Sequence, residues 1–300
     1  MSNNGRQFWG LALLAIVASV ATSFVVLAIR PNTGTSRSAD ISAYDRILQQ
    51  GTIRCGYVQY PPGCIKNPNT GQLTGVFVEA LEEAGKNMGL KVEWAEEVGW
   101  GSMIEGLKAD RYDLIGSQVW ANSTRGKLVD FTVPLFFSGI GVYVRADDVR
   151  FDYDLSKINA LDVRIATIDG EMSDIISKQD YPKAKTVSHP QLSDNSQILL
   201  DLVNNKADVT FVEPYVAELF LKNNPATVRN LATDRPIRIF PNSMMMRKGE
   251  TQLKTMLDTA LSELLNTGFV DQLMRKHVPQ VGLFYPVAYP YRVERATAKP

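Results

Sequence analysis

The sequence predicts an α/β fold, because two stretches of the chain place an amphipathic helix pattern directly before a short apolar strand. These stretches read SMIEGLKADRYDLIGSQVW and SQILLDLVNNKADVTFVEP. Between them lies FTVPLFFSGIGVYVR, an extended segment interrupted by Pro134 and Gly139, which is typical of a chain passing from one domain to another. We therefore expect two α/β units, each built on a mainly parallel sheet with right-handed crossovers.

The first unit begins with a helix predicted in ISAYDRILQQG, where Gly51 ends it, and continues with a strand in TIRCGYV. Proline and glycine exclude a continuous helix in YPPGCIKNPNTGQLTG, and NPNTG is typical of a hairpin or loop tip between short strands. An amphipathic helix is predicted in VFVEALEEAGKNMG, ending at Gly85 or Gly89. The next strand is predicted in LKVEWAEE.

The second unit repeats this alternation of strands and helices. A strand, a glycine-containing turn and a helix are predicted in ALDVRIATIDGEMSDIISKQ, and a helix and a strand follow in DNSQILLDLVNNKADVTFVEP. A second extended stretch, IRIFPNSMMMRKGE, leads to two helices on either side of Gly268. The tail from Leu283 onward shows no periodicity that predicts an element.

Composition narrows the function classes. The chain has 300 residues, of which 45% are hydrophobic, enough for one large or two medium domains. Its 32 basic and 32 acidic residues give a formal net charge of zero, so the basic footprint of a nucleic-acid-binding protein is missing. His189 and His277 have no metal-ligand spacing around them, and neither do the two cysteines. We expect no cofactor, no metal and no nucleic-acid partner.

The segment 8–29 is uncharged and rich in Leu, Ala, Val and Ile. At about 1.5 Å per residue it forms a helix of about 33 Å, enough to cross a bilayer core of about 30 Å. We expect it to tether an exported, periplasmic or otherwise extracytoplasmic body to the inner membrane. A cleavable signal peptide is the alternative, because Ser19 and Ala21 suit a cleavage site and Arg6 precedes the run. Residues 1–37 are therefore expected to be an anchor or signal segment plus a linker.

Two residues of opposite charge follow strands of the two units. Arg125 comes after the strand at Leu114–Gly116, and Glu213 comes directly after the strand at Val209–Val212. Ligands of open α/β sheets bind beyond the carboxyl ends of the strands. Because a guanidinium binds a carboxylate in bidentate fashion and a carboxylate binds an amine, the pair predicts a site for a small zwitterion. The alternatives are a surface Arg125 paired with Asp130, and a Glu213 placed only for the helix dipole.

Several motifs occur in a recognisable order: GTIRCGYVQYPPG, LTGVFVEALEEAGKNMGLKVEW, GWGSMIEGLKADRYDLIGSQVWANSTRGKLVDFTVPLFF, KADVTFVEP and LSELLNTGFVDQLMRKH. Together they resemble the family 3 extracellular solute-binding proteins of polar amino-acid ABC transporters, over residues 45–280. The resemblance implies a two-lobed, type II periplasmic-binding-protein-like fold, with two hinge-crossing strands and the ligand in the interlobe cleft. It places lobe 1 at 48–135 and 244–282, lobe 2 at 140–239, and a C-terminal tail at 283–300.

The resemblance also implies which residues bind the ligand. Arg125 matches the arginine that clamps the α-carboxylate, and Glu213 stands where the family has an aspartate for the α-amino group. Tyr60 and Trp100 match the aromatic pair that sandwiches the ligand. Gln118 matches a residue that offers backbone groups to it. Tyr60, Trp100 and Trp120 are also plausible as ordinary core or rim residues, since large aromatic side chains contribute most to any core.

Three departures from the family pattern concern the anion end of the site. Trp120 replaces a threonine whose hydroxyl contacts the carboxylate in many members, and Thr124 replaces the usual acid before the arginine. The glycine-threonine turn of lobe 2 has become Asp169-Gly170-Glu171, ahead of a helix whose amides would bind an anion. We therefore expect Gly170 and Glu171 at the ligand, and the additional carboxylates suit a cationic or amine ligand rather than an acidic one.

Cys55 and Cys64 lie close together in the sequence of an exported body, where disulfides form. A disulfide between them would close a loop of about ten residues beside Tyr60 and add about 2–3 kcal/mol on the loop-entropy model. Two buried free thiols are the alternative, and the sequence leaves both open.

The leading functional hypothesis is a receptor without catalytic residues, which closes on an amino-acid-like or amine-containing solute and presents it to an ABC transporter permease. One alternative is an exported dehydratase of the cyclohexadienyl or arogenate type on the same fold, with Glu171 or Glu213 as general acid or base. A membrane-anchored ligand sensor is the other alternative.

Overall fold

A computed structural model describes residues 41–278, 280 and 282–287 of the chain. The expected anchor at 8–29 and most of the C-terminal tail lie outside these residues. Within the described part, no helix combines the length and apolar character that crossing a bilayer requires. The elements named below all belong to one compact unit, Ser42–Pro300.

The helices and strands follow the alternation expected from the sequence. The α-helices of the described chain are α1 (Ala43–Gln50), α2 (Val76–Met88), α3 (Met103–Lys108), α4 (Ser123–Gly126), α5 (Met172–Asp180), α6 (Asn195–Val203), α7 (Pro214–Asn223), α8 (Thr251–Asn266) and α9 (Phe269–His277). The strands are β1 (Thr52–Tyr57), β2 (Ile65–Lys66), β3 (Leu73–Thr74), β4 (Lys91–Glu97), β5 (Leu114–Trp120), β6 (Val129–Phe131), β7 (Phe136–Arg145), β8 (Arg164–Ile168), β9 (Lys185–His189), β10 (Val209–Val212), β11 (Val228–Asn230), β12 (Arg238–Arg247) and β13 (Phe284–Pro286). A 3₁₀-helix covers Leu155–Ile158.

The main sheet has the strand order β4-β1-β5-β12-β7-β10-β8-β9. At one end β4, β1 and β5 are parallel, and at the other end β10, β8 and β9 are parallel. Between them β12 and β7 run antiparallel to each other and to their outer neighbours. We call the half that contains β1, β4 and β5 the first lobe, and the half that contains β8, β9 and β10 the second lobe. The fold is thus two-lobed and α/β, as expected.

Two long strands connect the lobes. In β7, Phe136–Ile140 pair with β12, whereas Gly141–Val144 pair with β10 of the second lobe. In β12, the segment after Asn242 pairs with β5 and β6 of the first lobe. These are the two extended stretches that the sequence indicated between its α/β series. The residue bounds given above for the lobes stay predictions.

Local sequence signals account for several boundaries. Gly51 and Gly89 adopt left-handed conformations with φ of 65° and 69°, and end α1 and α2 respectively. The short strands β2 and β3 pair as a hairpin around the NPNTG loop. The tail differs from expectation, because β13 pairs with Phe136–Ser138 of β7. A strand of three residues is too short to produce a recognisable period in the sequence.

Cys55 and Cys64 are both free thiols and both buried. Cys55 packs in the core formed by α2, α8 and α9, while Cys64 packs against Tyr57 and Val78. The disulfide considered from the sequence is therefore not formed in this structure, and the alternative of two buried thiols describes it. Burial raises the pKa of Cys64 to about 12, so its thiol is protonated and unreactive at neutral pH.

Candidate functional site

The structure brings the predicted ligand-binding residues together between the lobes. First-lobe residues enter from the β1–β2 loop, from the turn after β4, from β5 and from α4, and second-lobe residues come from the turns after β8 and β10. All of them except Gly170 are buried; they are Tyr60, Trp100, Gln118, Trp120, Arg125, Glu171 and Glu213. We call this set, together with Gly170, the cleft cluster.

Arg125 lies on α4, a single turn that begins where the side chain of Asn122 accepts a hydrogen bond from the Arg125 backbone N–H at 2.9 Å. One terminal nitrogen of its guanidinium donates to the backbone carbonyl of Trp120 at 3.2 Å, and the other donates to the carbonyl of Gly170 at 3.1 Å. The second bond joins the two lobes. Burial lowers the pKa of Arg125 to about 10, so the group keeps its positive charge at neutral pH.

Glu213 caps α7 at the exit of β10 and is fully buried, with 0% of its surface exposed. Its Oε1 accepts hydrogen bonds from Gln118 Nε2 at 3.3 Å and from Trp120 Nε1 at 3.1 Å, while its Oε2 has no partner. Burial raises the pKa of Glu213 to about 8. The hydrogen bonds that Glu213 accepts oppose this rise, and the negative charge of Glu171 adds to it. The carboxyl therefore holds a proton at neutral pH unless a cation approaches.

Three of the predicted aromatic residues pack edge to face. The ring of Tyr60 lies 5.6 Å from that of Trp100 and 5.8 Å from that of Trp120. Trp100 also lies beneath the Arg125 guanidinium, at 6.0 Å. The hydroxyl of Tyr60 is buried without a hydrogen-bond partner. The aromatic residues thus form one continuous wall of the cluster, with an unsatisfied hydroxyl in it.

The turn before α5 approaches the first lobe closely. Gly170 has φ of +74°, and a Cβ there would lie 3.0 Å from backbone atoms of Gly101. Glu171 is the N-cap of α5, and its side chain accepts hydrogen bonds from the N–H and the hydroxyl of Ser173. The Ser173 N–H, one of the helix amides expected to bind an external anion, is thus bonded to the protein's own carboxylate. Burial raises the pKa of Glu171, and the Ser173 hydrogen bonds and the Arg125 charge oppose that rise.

Sequence reasoning missed the polar residues that the crossing strands contribute. Ser138 of β7 accepts from Trp120 Nε1 at 3.0 Å and from Asn242 Nδ2 of β12 at 2.9 Å. Both residues are fully buried, and Phe240 of β12 stacks on the Trp120 ring at 5.6 Å. The sequence contained a signal for them, because a serine and an asparagine occur inside apolar extended stretches, where buried polar side chains need a hydrogen-bond partner.

A cavity of about 530 Å³ adjoins the cleft cluster through Trp100. The first lobe contributes Gln59 and Glu97, and the second lobe contributes Gln191 and residues of α6 and α7. Gln191 also links the lobes, because its Oε1 accepts from the backbone N–H of Gly101 at 2.8 Å. Among the residues that the structure describes, no group of three or more His, Cys, Asp or Glu side chains is arranged to hold a metal ion.

This arrangement of two lobes, two crossing strands and a buried polar cluster defines a cleft-type binding protein. The sequence profile of the bacterial extracellular solute-binding proteins, family 3, matches residues 53–280. The chain belongs to that family.

Relatives with assigned names are similar over most of their length. A probable histidine-binding protein of Campylobacter jejuni is 25% identical over 265 residues, 86% of this chain and 95% of the relative. The L-cystine-binding protein TcyA of Bacillus subtilis is 24% identical over 275 residues, 88% of this chain and 96% of the relative.

Solved structures share the fold. The ancestral amino acid-binding protein AncCDT-1, described as a precursor of cyclohexadienyl dehydratase, is 26% identical with a TM-score of 0.67, covering 79% of this chain and 99% of that one. A cysteine-binding protein of Campylobacter jejuni gives a TM-score of 0.68 at 20% identity, covering 79% of this chain and 93% of that one, which shows the fold alone.

Proposed function

We propose that this protein is an exported receptor that captures a small amine-bearing solute, either amino-acid-like or a simple amine, between its lobes. It delivers the solute to the permease of an ABC transporter. The solute stabilises the closed arrangement of the lobes by a population shift, and it leaves chemically unchanged.

Unsatisfied acceptors at the lobe boundary carry this proposal. Glu213 Oε2 from the second lobe and Gln118 Oε1 from the first lobe are buried and have no hydrogen-bond partner. An unsatisfied buried polar oxygen costs about 1–3 kcal/mol, which a bound ammonium group regains by donating to Gln118 Oε1 and, once Glu213 has released its proton, to Glu213 Oε2. A cation beside Glu213 also favours its ionised form, so that binding releases a proton at neutral pH. The names of the relatives, which include histidine- and L-cystine-binding proteins, support an amine-bearing solute.

A titration of the purified chain against amino acids and amines tests the receptor. We expect at least one compound to bind and to be recovered unchanged, with proton release detected as a dependence of the binding enthalpy on the buffer. Glu213→Gln should weaken that compound about a hundredfold, since it removes the charge that faces the ammonium.

Glu218→Gln is the matched control for this substitution. Glu218 lies on the same helix, α7, and also has a buried oxygen without a partner, but it lines a different cavity near Tyr143. Its substitution should leave the dissociation constant unchanged. If both substitutions weaken solute binding equally, or if Glu213→Gln does not weaken it, Glu213 is not part of the binding site.

We further propose that residues 8–29 tether the receptor to the outer face of the inner membrane, close to the permease. Their uncharged composition and sufficient length support this. The intact mass of the exported protein tests it: the full chain in the membrane fraction supports a tether, whereas a product beginning near Thr22 in the soluble fraction shows cleavage.

A dehydratase is the second candidate, because Glu213 holds a proton at neutral pH and is enclosed between the lobes, as a general acid must be. Incubation with arogenate or prephenate distinguishes the two candidates. Consumption of either compound with formation of an aromatic product, lost in Glu213→Gln, would establish an enzyme. Recovery of both compounds intact would leave the receptor.

A further inference from the structure

The anion end of the cleft already contains a carboxylate that belongs to the protein. Glu171 is only 2% exposed, and its Oε2 accepts from the backbone N–H of Ser173 at 2.6 Å and from the Ser173 hydroxyl. The N-terminus of a helix is where backbone N–H groups and the helix dipole stabilise an anion. At α5 this stabilisation is given to Glu171, and the bonded N–H is not free for a carboxylate carried by a solute.

The Arg125 guanidinium is engaged in the same region. Its two terminal nitrogens donate to the carbonyls of Trp120 and Gly170, and its positive charge favours the ionised form of Glu171. A solute carboxylate placed against Arg125 would therefore lie close to the buried Glu171. Like charges in a buried site repel strongly, because little solvent screens them.

The opposite end of the cluster has the reverse character. Glu213 and Gln118 are 0% and 1% exposed, and each has an acceptor oxygen without a partner. The charges of Arg125 and Glu171 offset each other, and the nearby Asp174 is paired with Lys178 at 2.8 Å. Glu213 is bonded to neutral donors, so one cation without an accompanying anion balances the negative charge that Glu213 carries once it has released its proton.

We infer that Glu171 takes the place of the solute's carboxylate, so that the solute is a cationic amine with no carboxylate on the carbon that carries the amino group. The inference rests on the proposed function and narrows its solute class from amino-acid-like molecules to amines. Glu171 is then a residue that determines specificity by excluding the carboxylate, while Glu213 and Gln118 bind the ammonium.

Matched pairs of compounds test this directly. Each amino acid is paired with the amine that lacks only its carboxylate, or in the case of cystine both carboxylates: arginine with agmatine, ornithine with putrescine, histidine with histamine, and cystine with cystamine. Dissociation constants are measured by calorimetry for the wild-type chain and for Glu171→Gln, which keeps the shape of the side chain and removes its charge. We expect the wild type to bind one amine at least about tenfold more tightly than its amino acid, and Glu171→Gln to abolish or reverse that preference.

Two further variants separate specificity from folding. Glu171→Thr also removes the carboxylate but keeps an oxygen that can cap α5, so it should change the preference in the same direction if Glu171→Gln does not fold. Ser173→Ala keeps the carboxylate and removes one of its donors, so the preference for the amine should persist.

Different results overturn the inference and the proposed function. Glu171 does not exclude a carboxylate if the wild type binds the amino acid of a pair more tightly than the amine. The same follows if the wild type and Glu171→Gln show the same ratio of the two dissociation constants. Either result leaves the proposed receptor function intact. If no compound binds either protein, both the amine site and the receptor built on it are overturned.

Discussion

Strands β5 and β10 occupy equivalent places in the two lobes, and each has charged residues at both ends. Buried aspartates precede them, Asp113 before β5 and Asp208 before β10. Each aspartate accepts a hydrogen bond from the backbone N–H of an arginine that begins or lies in a neighbouring strand, Arg54 at 2.8 Å and Arg164 at 2.9 Å. At the other ends, Arg125 and Glu213 face the cleft.

The two ends of β10 shift the pKa of a carboxyl in opposite directions. Burial disfavours the ionised form of Asp208, but hydrogen bonds from Arg164 and Arg150 outweigh it and lower the pKa to about 2. Burial also disfavours ionised Glu213, and there the neutral donors are too weak, so the pKa rises to about 8. Paired charges at the start of the strand thus stabilise the fold, whereas the acid at its end is bonded to neutral donors.

The largest effect on stability should come from the paired end. Asp208→Ala leaves Arg164 and Arg150 without their common partner. We expect the free energy of unfolding to fall by about 3 kcal/mol. This value is at the low end of the range for a broken buried ion pair, because both arginines are partly exposed to solvent. Urea denaturation measures the loss, and solute affinity should not change. Asp147→Ala is the control, since that side chain is 90% exposed and should cost less than about 0.5 kcal/mol. Similar losses in both variants would contradict the assignment.

Stability should depend on pH in opposite directions at the two ends of β10. A carboxyl with a raised pKa holds its proton longer in the folded state, so the contribution of Glu213 to stability falls as the pH rises from about 5 to about 8, by up to about 1.4 kcal/mol per pH unit. Asp208 has a lowered pKa, so its contribution is complete above about pH 4 and is lost as the pH falls toward about 2. Gln118 and Trp120 donate to Glu213, and Glu171 and Tyr60 lie near enough to interact with its charge; all four are unchanged in these variants.

The measurement is denaturant unfolding of the ligand-free wild type, Glu213→Gln and Asp208→Asn across this pH range. The stability difference between wild type and Glu213→Gln should decline between about pH 5 and pH 8, and the difference to Asp208→Asn should decline only in acid. A constant difference to Glu213→Gln between pH 5 and pH 8 would show that the carboxyl is ionised in the ligand-free protein.

The same contrast explains what the sequence predicted well. Arg125 and Glu213 could be placed beside the cleft because each follows a strand in a recurring pattern of helix, Lys-Ala-Asp turn and strand, and strand ends in such folds meet at the cleft; their roles as ligand-binding residues stay predictions. The crossing strands were identifiable from their extended composition, and their order in the sheet gives the two-lobed architecture. Periodicity and position in an element carry this information locally.

Other features depend on register between distant segments. Ser138 and Asn242 meet only because β7 and β12 pair antiparallel, with Phe136 opposite Asn242. The surroundings of Glu171 depend on the conformation of the turn before α5, where its side chain caps its own helix. Neither the register nor the cap follows from residue types alone.

The smallest effect should come from the contact that links the lobes beside the cluster. Gln191 of the second lobe accepts from the Gly101 N–H, and a Cβ on Gly99 would lie 2.6 Å from the Gln191 side chain, so the glycines make room for it. Gln191→Ala removes one neutral hydrogen bond that forms only when the lobes approach, and it should weaken solute binding about fivefold, equivalent to about 1 kcal/mol. The loss should appear mainly in the dissociation rate. Ser193→Ala, in the same cavity wall, should have no such effect, and equal losses in the two variants would assign the effect to the cavity rather than to lobe closure.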